Sequence, residues 1–361
     1  MPSGPDLFGP LFCYVCMDFR TELNPEKLPV SLRLTSSIVT IGSCFAETMG
    51  RQLSDLKLDV LANPFGTIFN PVSGSKLLLA AIDDREPDSE LFVERDGVWF
   101  HHDVHSSLWA RSRPELERRL RDVLRQTGTA LKRADWLFLT LGTAVVYRHL
   151  ETGKVVANCH KLPAKQFEKY VYTYEHLLDI LNPLLRKLRR FNPALQVLLT
   201  VSPVRHTKDT LPVNGVSKAL LRSVCHELTT WHDGVHYFPA YEIVMDDLRD
   251  YRFYEADLIH PNEQAKEYIF EKFVQCAFDA ELRTFKTEWE GVRKSLAHRP
   301  FHSATESHRQ FLEALLKQLD RLSTTVNVGP ERAEVLQRLF DLTTVERPEP
   351  PFSDNQQRLS A

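Results

Sequence analysis

SIVTIGSCFAETMGRQLSDLK, residues 37–57, holds the first unit of the fold. Residues 37–42 are a short β-branched run that ends in Gly42, which reads as a buried strand. Residues 45–57 continue with apolar positions at helical spacing. The unit is therefore strand, tight turn, helix, with Ser43 on the turn.

The same alternation extends outward. NPFGTIFNP (63–71) is a turn-rich loop with two Asn-Pro steps, and a helix follows over about 73–82. Residues 91–104 read as a hairpin around Asp96-Gly97. Leucines and basic residues at helical spacing mark a helix over 114–132. WLFLTL (136–141) is a second buried strand closed by Gly142-Thr143, and 144–149 with 154–159 suit a further hairpin. A helix over 172–190, a core strand over 196–204, a helix over 216–232 and a fourth strand over 235–244 come next. ADLIHP (256–261) is a loop, and Pro261 suits the first turn of a helix that reaches Leu282. Strands alternating with helices predict a parallel sheet covered on both faces. The loops that follow the strands then gather at one sheet edge. Ser43, Gly142-Thr143 and the Ser202–His206 stretch converge there.

With 361 residues, the expectation is one large core plus an appendage. Residues 1–18 read as a flexible leader, 19–282 as the main domain, 283–345 as a helical extension and 346–361 as a disordered, proline-rich tail. A formal net charge of −3 lacks the basic excess that nucleic-acid binding requires, and no run of 18 apolar residues spans a membrane. The opening residues lack the basic segment of a signal peptide, so the expected location is cytoplasmic. The six cysteines show no disulfide framework, and Cys13-x-x-Cys16 reads as an incidental pair.

Chemistry concentrates in two stretches. A serine between a core strand and a helix N-terminus suits nucleophilic attack, because Gly42 permits the tight turn and the helix end favours a developing oxyanion. The same serine also suits plain helix capping. Asp257-Leu258-Ile259-His260 supplies what a serine nucleophile needs, a histidine base oriented by a carboxylate. Three residues before His260, Asp257 reaches Nδ1 of that imidazole and leaves Nε2 free.

Gly42 to Ala46 spell GSCFA. FRTEL (19–23), NPFGTIFNP (63–71), FHHDVHSSL (100–108), LTLGTAVVY (139–147), VANCHKLP (156–163), TVSPVRH (200–206) and DLIHPN (257–262) follow in order. On these residues the chain resembles the GSCFA domain family, and more broadly the SGNH (GDSL-like) hydrolase superfamily, over about residues 19–270. The resemblance implies an α/β three-layer sandwich with a flavodoxin-like parallel sheet, and a Ser43–His260–Asp257 triad that needs no metal or organic cofactor. Gly66 resembles the superfamily glycine whose N–H joins that of Ser43 in the oxyanion hole. The superfamily's Asn, two residues beyond the glycine that ends the next core strand, is missing from Gly142-Thr143-Ala144-Val145. Asn158, His160 and Thr143, in that order, are the candidates for the missing donor.

His101 and His105 fall on one strand face with Asp103 between them; lining a pocket or sitting on an exposed hairpin, together with His102, is preferred over a metal site. His105 is a pocket element by resemblance. Arg205-His206, at a strand end, suits contact with an anionic or polar substrate group. Cys44 is a rival nucleophile, against which stands the inward packing usual for the residue after the nucleophile. The expected activity is ester hydrolysis, with an O-acyl group on a carbohydrate as one substrate. The alternatives are acyl transfer and a binding or scaffold protein that kept the fold without catalysis.

Overall fold

The computed structural model describes residues 20–300 and 305–345. The leader and tail expected at 1–18 and 346–361, with Cys13 and Cys16, lie outside the described residues.

Five parallel strands form the central sheet: β1 (Ser37–Gly42), β2 (Asp59–Ala62), β5 (Trp136–Leu141), β9 (Gln196–Val201) and β10 (Val235–Tyr237). Their spatial order is β2-β1-β5-β9-β10. Counting only these strands, the order is 2-1-3-4-5, the flavodoxin-like arrangement whose switch point lies between the first and third strands. Here that point is the gap between the ends of β1 and β5.

Both faces of the sheet are covered, and the strand pleat assigns the side chains. Ile38, Trp136, Phe138 and Leu198 enter one core with α1 (Cys44–Asp55) and α7 (Glu263–Ala277). Val39, Ile41, Leu137, Leu139, Val197 and Leu199 enter the other. That second face carries α2 (Pro71–Ile82), α3 (Arg113–Arg133), α4 (Tyr174–Phe191) and α5 (Leu211–Trp231). The result is a three-layer α/β/α sandwich. The central strands are buried on both sides and have no polar face, which is why they read as nearly continuous apolar runs.

Outside the sheet, β3 (Phe92–Arg95) and β4 (Val98–His101) form the hairpin expected around Asp96-Gly97. The other expected hairpin, β6 (Val145–His149) with β7 (Val155–Val156), gains a third strand, β8 (Phe167–Val171).

Several expected elements are shorter than read. The strand expected over 196–204 stops at Val201, the arm expected over 154–159 pairs only at Val155–Val156, and the strand expected over 235–244 stops at Tyr237. Pro239 has no N–H to pair, and the chain turns into α6 (Ala240–Glu242) and a π-helical turn at Ile243–Asp247. The helix expected from Pro261 to Leu282 is two helices. Asn262 caps α7, accepting the Ala265 N–H at 3.1 Å, and α7 ends at Ala277. Asp279 then caps α8 (Ala280–Ala297), accepting the Leu282 N–H at 2.7 Å.

With α8, the helices α9 (Glu306–Leu322) and α10 (Gly329–Val345) join the core on the α1 side. Trp289 is their anchor. It is 1% exposed, and its Nε1 donates to Asp55 O at 2.7 Å. Asp55 is the last residue of α1 and Ser43 caps the first turn, so this contact lies about 18 Å from Ser43 at 1.5 Å per residue. No helix among the described residues is long and apolar enough to cross a membrane.

Candidate active site at the switch point

Strand β1 must end in glycine. Gly42 has φ +143°, and a Cβ there would overlap the Thr140 carbonyl. The chain then enters α1 through Ser43. Its N–H reaches Thr140 O at 3.3 Å, and its Oγ accepts the Phe45 N–H at 3.3 Å as the helix cap. Ser43 is fully buried.

Asn63 holds this turn from the β2 side. Its N–H donates to Thr40 O at 2.9 Å, and its Nδ2 lies 3.4 Å from Gly42 O and 3.3 Å from Ser43 O. Its Oδ1 is buried without a partner. Gly66 follows at φ +70°, where a Cβ would stand 2.5 Å from the His105 Cβ. The Gly66 N–H is committed to Asn63 O at 2.7 Å, so in this conformation it is not free to serve as the expected oxyanion donor.

The end of β5 is clamped by the same loop. Phe69 O accepts the N–H groups of Gly142 and Thr143 at 2.8 and 3.0 Å. From α5, Lys218 reaches in and donates Nζ to Gly142 O at 2.7 Å and Ser202 O at 2.6 Å, joining the ends of β5 and β9. Burial pulls this amine down to about 7 from the ordinary lysine value. His206 lies alongside. Its backbone N–H donates to Asn214 Oδ1 at 2.9 Å, and its ring meets Phe69 edge-on at 5.3 Å. Burial, and then the Lys218 charge, hold the His206 imidazole down at about 4. Its Nε2 is buried with no partner.

Asp257 and His260 form the expected pair. His260 Nδ1 lies 2.7 Å from Asp257 Oδ2, while Asp257 Oδ1 accepts the backbone N–H groups of Ile259 and His260 at 2.9 and 3.0 Å. These bonds require the tight loop in which Leu258 takes φ +57°. The hydrogen bond from the His260 ring, and then the two backbone bonds, hold the Asp257 carboxyl at about 2. The bond to a carboxylate puts the imidazole proton on Nδ1 and leaves Nε2 basic. The Arg205 N–H, donating to Ile259 O at 3.2 Å, ties this loop to the His206 segment. His260 and the first turn of α1 share a cavity of about 240 Å³, lined also by Cys44, Phe45, Thr48 and Val204.

Not every expected residue joins this group. No hydrogen bond links Ser43 to His260, though both are among the described residues. The candidates for the missing donor sit in other contacts, though for Asn158 these use its oxygens rather than its Nδ2. Asn158 Oδ1 accepts the His160 N–H at 2.8 Å. His160 uses both ring nitrogens, Nε2 with His101 O at 2.9 Å and Nδ1 with Ser106 Oγ at 3.0 Å, and stacks on Phe100. Thr143 Oγ1 pairs with Ser217 Oγ at 3.0 Å. His105 Nδ1 pairs with Ser107 Oγ at 3.0 Å, while its backbone N–H donates to Phe65 O beside Gly66. The ring of His101 is bound to Asp88 O and to the Asp103 N–H. Among the described residues no group of three or more His, Cys, Asp or Glu side chains is arranged to hold a metal ion. Cys44 is half-buried and lines the His260 cavity; burial pushes its thiol up, which disfavours the thiolate. Lys218 and Asn63 escaped sequence reasoning. The one signal for Asn63 is its place before Pro64 in a turn-rich loop, and a lysine on an apolar helix face is the one signal for Lys218.

Fold and site together define a doubly wound α/β protein with a serine-capped helix and an Asp–His loop at its switch point. The GSCFA family model matches residues 37–273, and the model of the GSCFA domain protein C-terminal domain matches residues 289–341. The chain belongs to the GSCFA family. No curated protein matches it. Among solved structures, one described as a candidate platelet activating factor from Streptococcus pneumonia is 13% identical and aligns over 66% of this chain and 82% of that one, with a TM-score of 0.35. A superposition that loose carries no argument about this chain.

Proposed function

We propose that this protein is a serine hydrolase of the SGNH type that cleaves an ester. Ser43 is the nucleophile, His260 the base and Asp257 the group that orients it. The observation that carries the reading is the 2.7 Å Asp257–His260 bond, on a loop that shares a cavity with the first turn of the Ser43-capped helix. In the proposed reaction, Ser43 Oγ bonds to the ester carbonyl carbon as its proton passes to His260 Nε2. The tetrahedral oxyanion collapses and the alcohol leaves with that proton. Water, or an acceptor hydroxyl if the enzyme is a transferase, then releases the acyl group by the reverse steps. An O-acyl group on a carbohydrate is the substrate class inferred from the superfamily resemblance, and the expected cytoplasmic location belongs to the same reading.

A second reading, a binding protein that kept the fold without catalysis, is favoured by one observation: Ser43 has no accessible surface. Hydrolysis of 4-nitrophenyl esters by wild type, Ser43→Ala and His260→Ala separates the two. The hydrolase reading expects turnover by wild type and background rates from both variants. Equal rates from all three would sink it. A Cys44→Ala variant with wild-type turnover keeps the assignment on the hydroxyl.

A further inference from the structure

One donor to the oxyanion is unassigned by the superfamily pattern. His160 and Thr143 are bound into other contacts, and Asn158 is held in the His102–His160 cluster through its Oδ1 and its backbone carbonyl. The neighbouring backbone donors are also taken. The Gly66 N–H closes on Asn63 O, and those of Gly142 and Thr143 close on Phe69 O. Of the side-chain atoms buried without a partner, Asn63 Oδ1 and His206 Nε2 lie on the segments at these strand ends, while Ser73 Oγ and Ser75 Oγ lie on α2. Asn63 Oδ1 can only accept; the imidazole nitrogen can donate.

We propose that His206 Nε2, beside Gly142 at the switch point, is a hydrogen-bond donor to the oxyanion formed on Ser43. This inference rests on the hydrolase reading. Its geometric basis is threefold. The nitrogen stands 3.4 Å from where a Cβ on Gly142 would be, which puts it against the end of β5. That end is next to Ser43, because Gly42 pairs with Thr140 across the two strands. Finally, the Arg205–Ile259 bond keeps the His206 segment beside the loop that carries His260.

The site is also built to hold the ring still. The Asn214 contact fixes the backbone and Phe69 flanks the ring, so little reorganisation accompanies charge development. A buried polar atom without a partner costs about 1–3 kcal/mol. Such a cost persists where a ligand supplies the missing partner. The depressed affinity for protons keeps the ring neutral at pH 7, so it does not compete with His260 for the serine proton. The role involves no proton transfer: in its Nε2–H tautomer His206 donates one hydrogen bond, which strengthens as the carbonyl oxygen gains charge and weakens as the intermediate collapses.

The test compares wild type with His206→Phe, which keeps a flat ring against Phe69 and removes the donor. With 4-nitrophenyl acetate, kcat should fall about 10²- to 10³-fold, the loss typical of one oxyanion donor, while KM stays within a few-fold. Labelling of Ser43 by a fluorophosphonate should slow in parallel, and the urea midpoint should hold or rise because a buried orphan is gone. If His206→Phe does not fold, His206→Ala, which adds no bulk, carries the same comparison. A wild type that labels at Ser43, with His206 variants that label and turn over at its rate, overturns this inference and leaves the hydrolase reading intact. A wild type inert to both ester and probe overturns both.

Discussion

Replacing Lys218 with methionine should change stability by an amount that depends on pH in a calculable way. The amine is 1% exposed and donates to two carbonyls at 2.6 and 2.7 Å. Its folded-state value of about 7 lies below the ordinary 10.5. Below pH 7 the amine is protonated in both the folded and unfolded chain, and folding bears the whole cost of burying the charge. Between pH 7 and 10.5 the unfolded chain binds the extra proton, so stability rises with pH at about 1.4 kcal/mol per unit. Above 10.5 both states are neutral and the gain levels off. Lys218→Met removes that titration and leaves Gly142 O and Ser202 O unpaired. Urea unfolding of wild type and variant should therefore show a stability difference that grows in favour of wild type by about 2 kcal/mol from pH 7 to 9. The difference cancels the titration of the other groups. A constant difference over that range would refute the argument, because it would mean that Lys218 binds its proton equally well folded and unfolded.

Two further outcomes follow from particular contacts. Trp289→Ala should destabilise the chain by about 3–5 kcal/mol, as for a large aromatic lost from a core, since it also frees Asp55 O. Differential scanning calorimetry reads this, and unchanged ester turnover would accord with the distance of Trp289 from Ser43. Asp257→Asn should lower kcat about 10⁴-fold, the loss seen when a triad histidine is held in the wrong tautomer. An amide has a single acceptor oxygen for three donors, the His260 ring and two backbone N–H groups. Because the Asp257 carboxyl sits at about 2, below its ordinary 3.8, the stabilisation that it gives this loop is complete above pH 4 and lost as pH falls through 2. The His260 Nδ1 proton resonance reports it.

The sheet was legible where both faces are buried. β1, β5 and β9 carry apolar runs broken only by a buried threonine in each, and each begins at the expected place. The edge strand β2 escaped because DVLA (59–62) is short and its residues are half-buried or exposed, so neither run nor alternation marks it. The strand expected to reach 244 failed at Pro239, where an apolar run continues but the ladder cannot. The helix break at 278–279 was hidden by periodicity that carries on through it. The Asp257–His260 pair was legible because its contact is local, three residues apart. Lys218 was not, because its acceptors lie 76 and 16 residues away and only the folded sheet brings them together. His206 was legible as a polar group at a strand end. Its unpaired nitrogen was not, since that is a property of everything around it.

The burial of Ser43 bears on both functional readings, and hydrogen-bond bookkeeping separates what it forbids from what it allows. As a cap, Ser43 uses a lone pair of Oγ to accept from Phe45. As a nucleophile it would use the hydroxyl hydrogen to donate to His260 Nε2. A hydroxyl does both at once, so capping does not exclude attack. Zero exposure does exclude contact with an ester in this conformation. On the hydrolase reading Ser43 must therefore become exposed during turnover. The segments that carry His206 and His260 are tied into one unit. They are joined to each other by the Arg205–Ile259 bond and by the Arg205 guanidinium over Tyr251 and Tyr254 at 5.3 and 4.7 Å. They also contain strained backbone, with Thr210 at φ +67° and Leu258 at φ +57°. Because the Arg205 guanidinium helps tie the two segments together, Arg205→Ala should lower ester turnover by disturbing His260 and His206 together, and turnover equal to wild type would show that the tie is not needed.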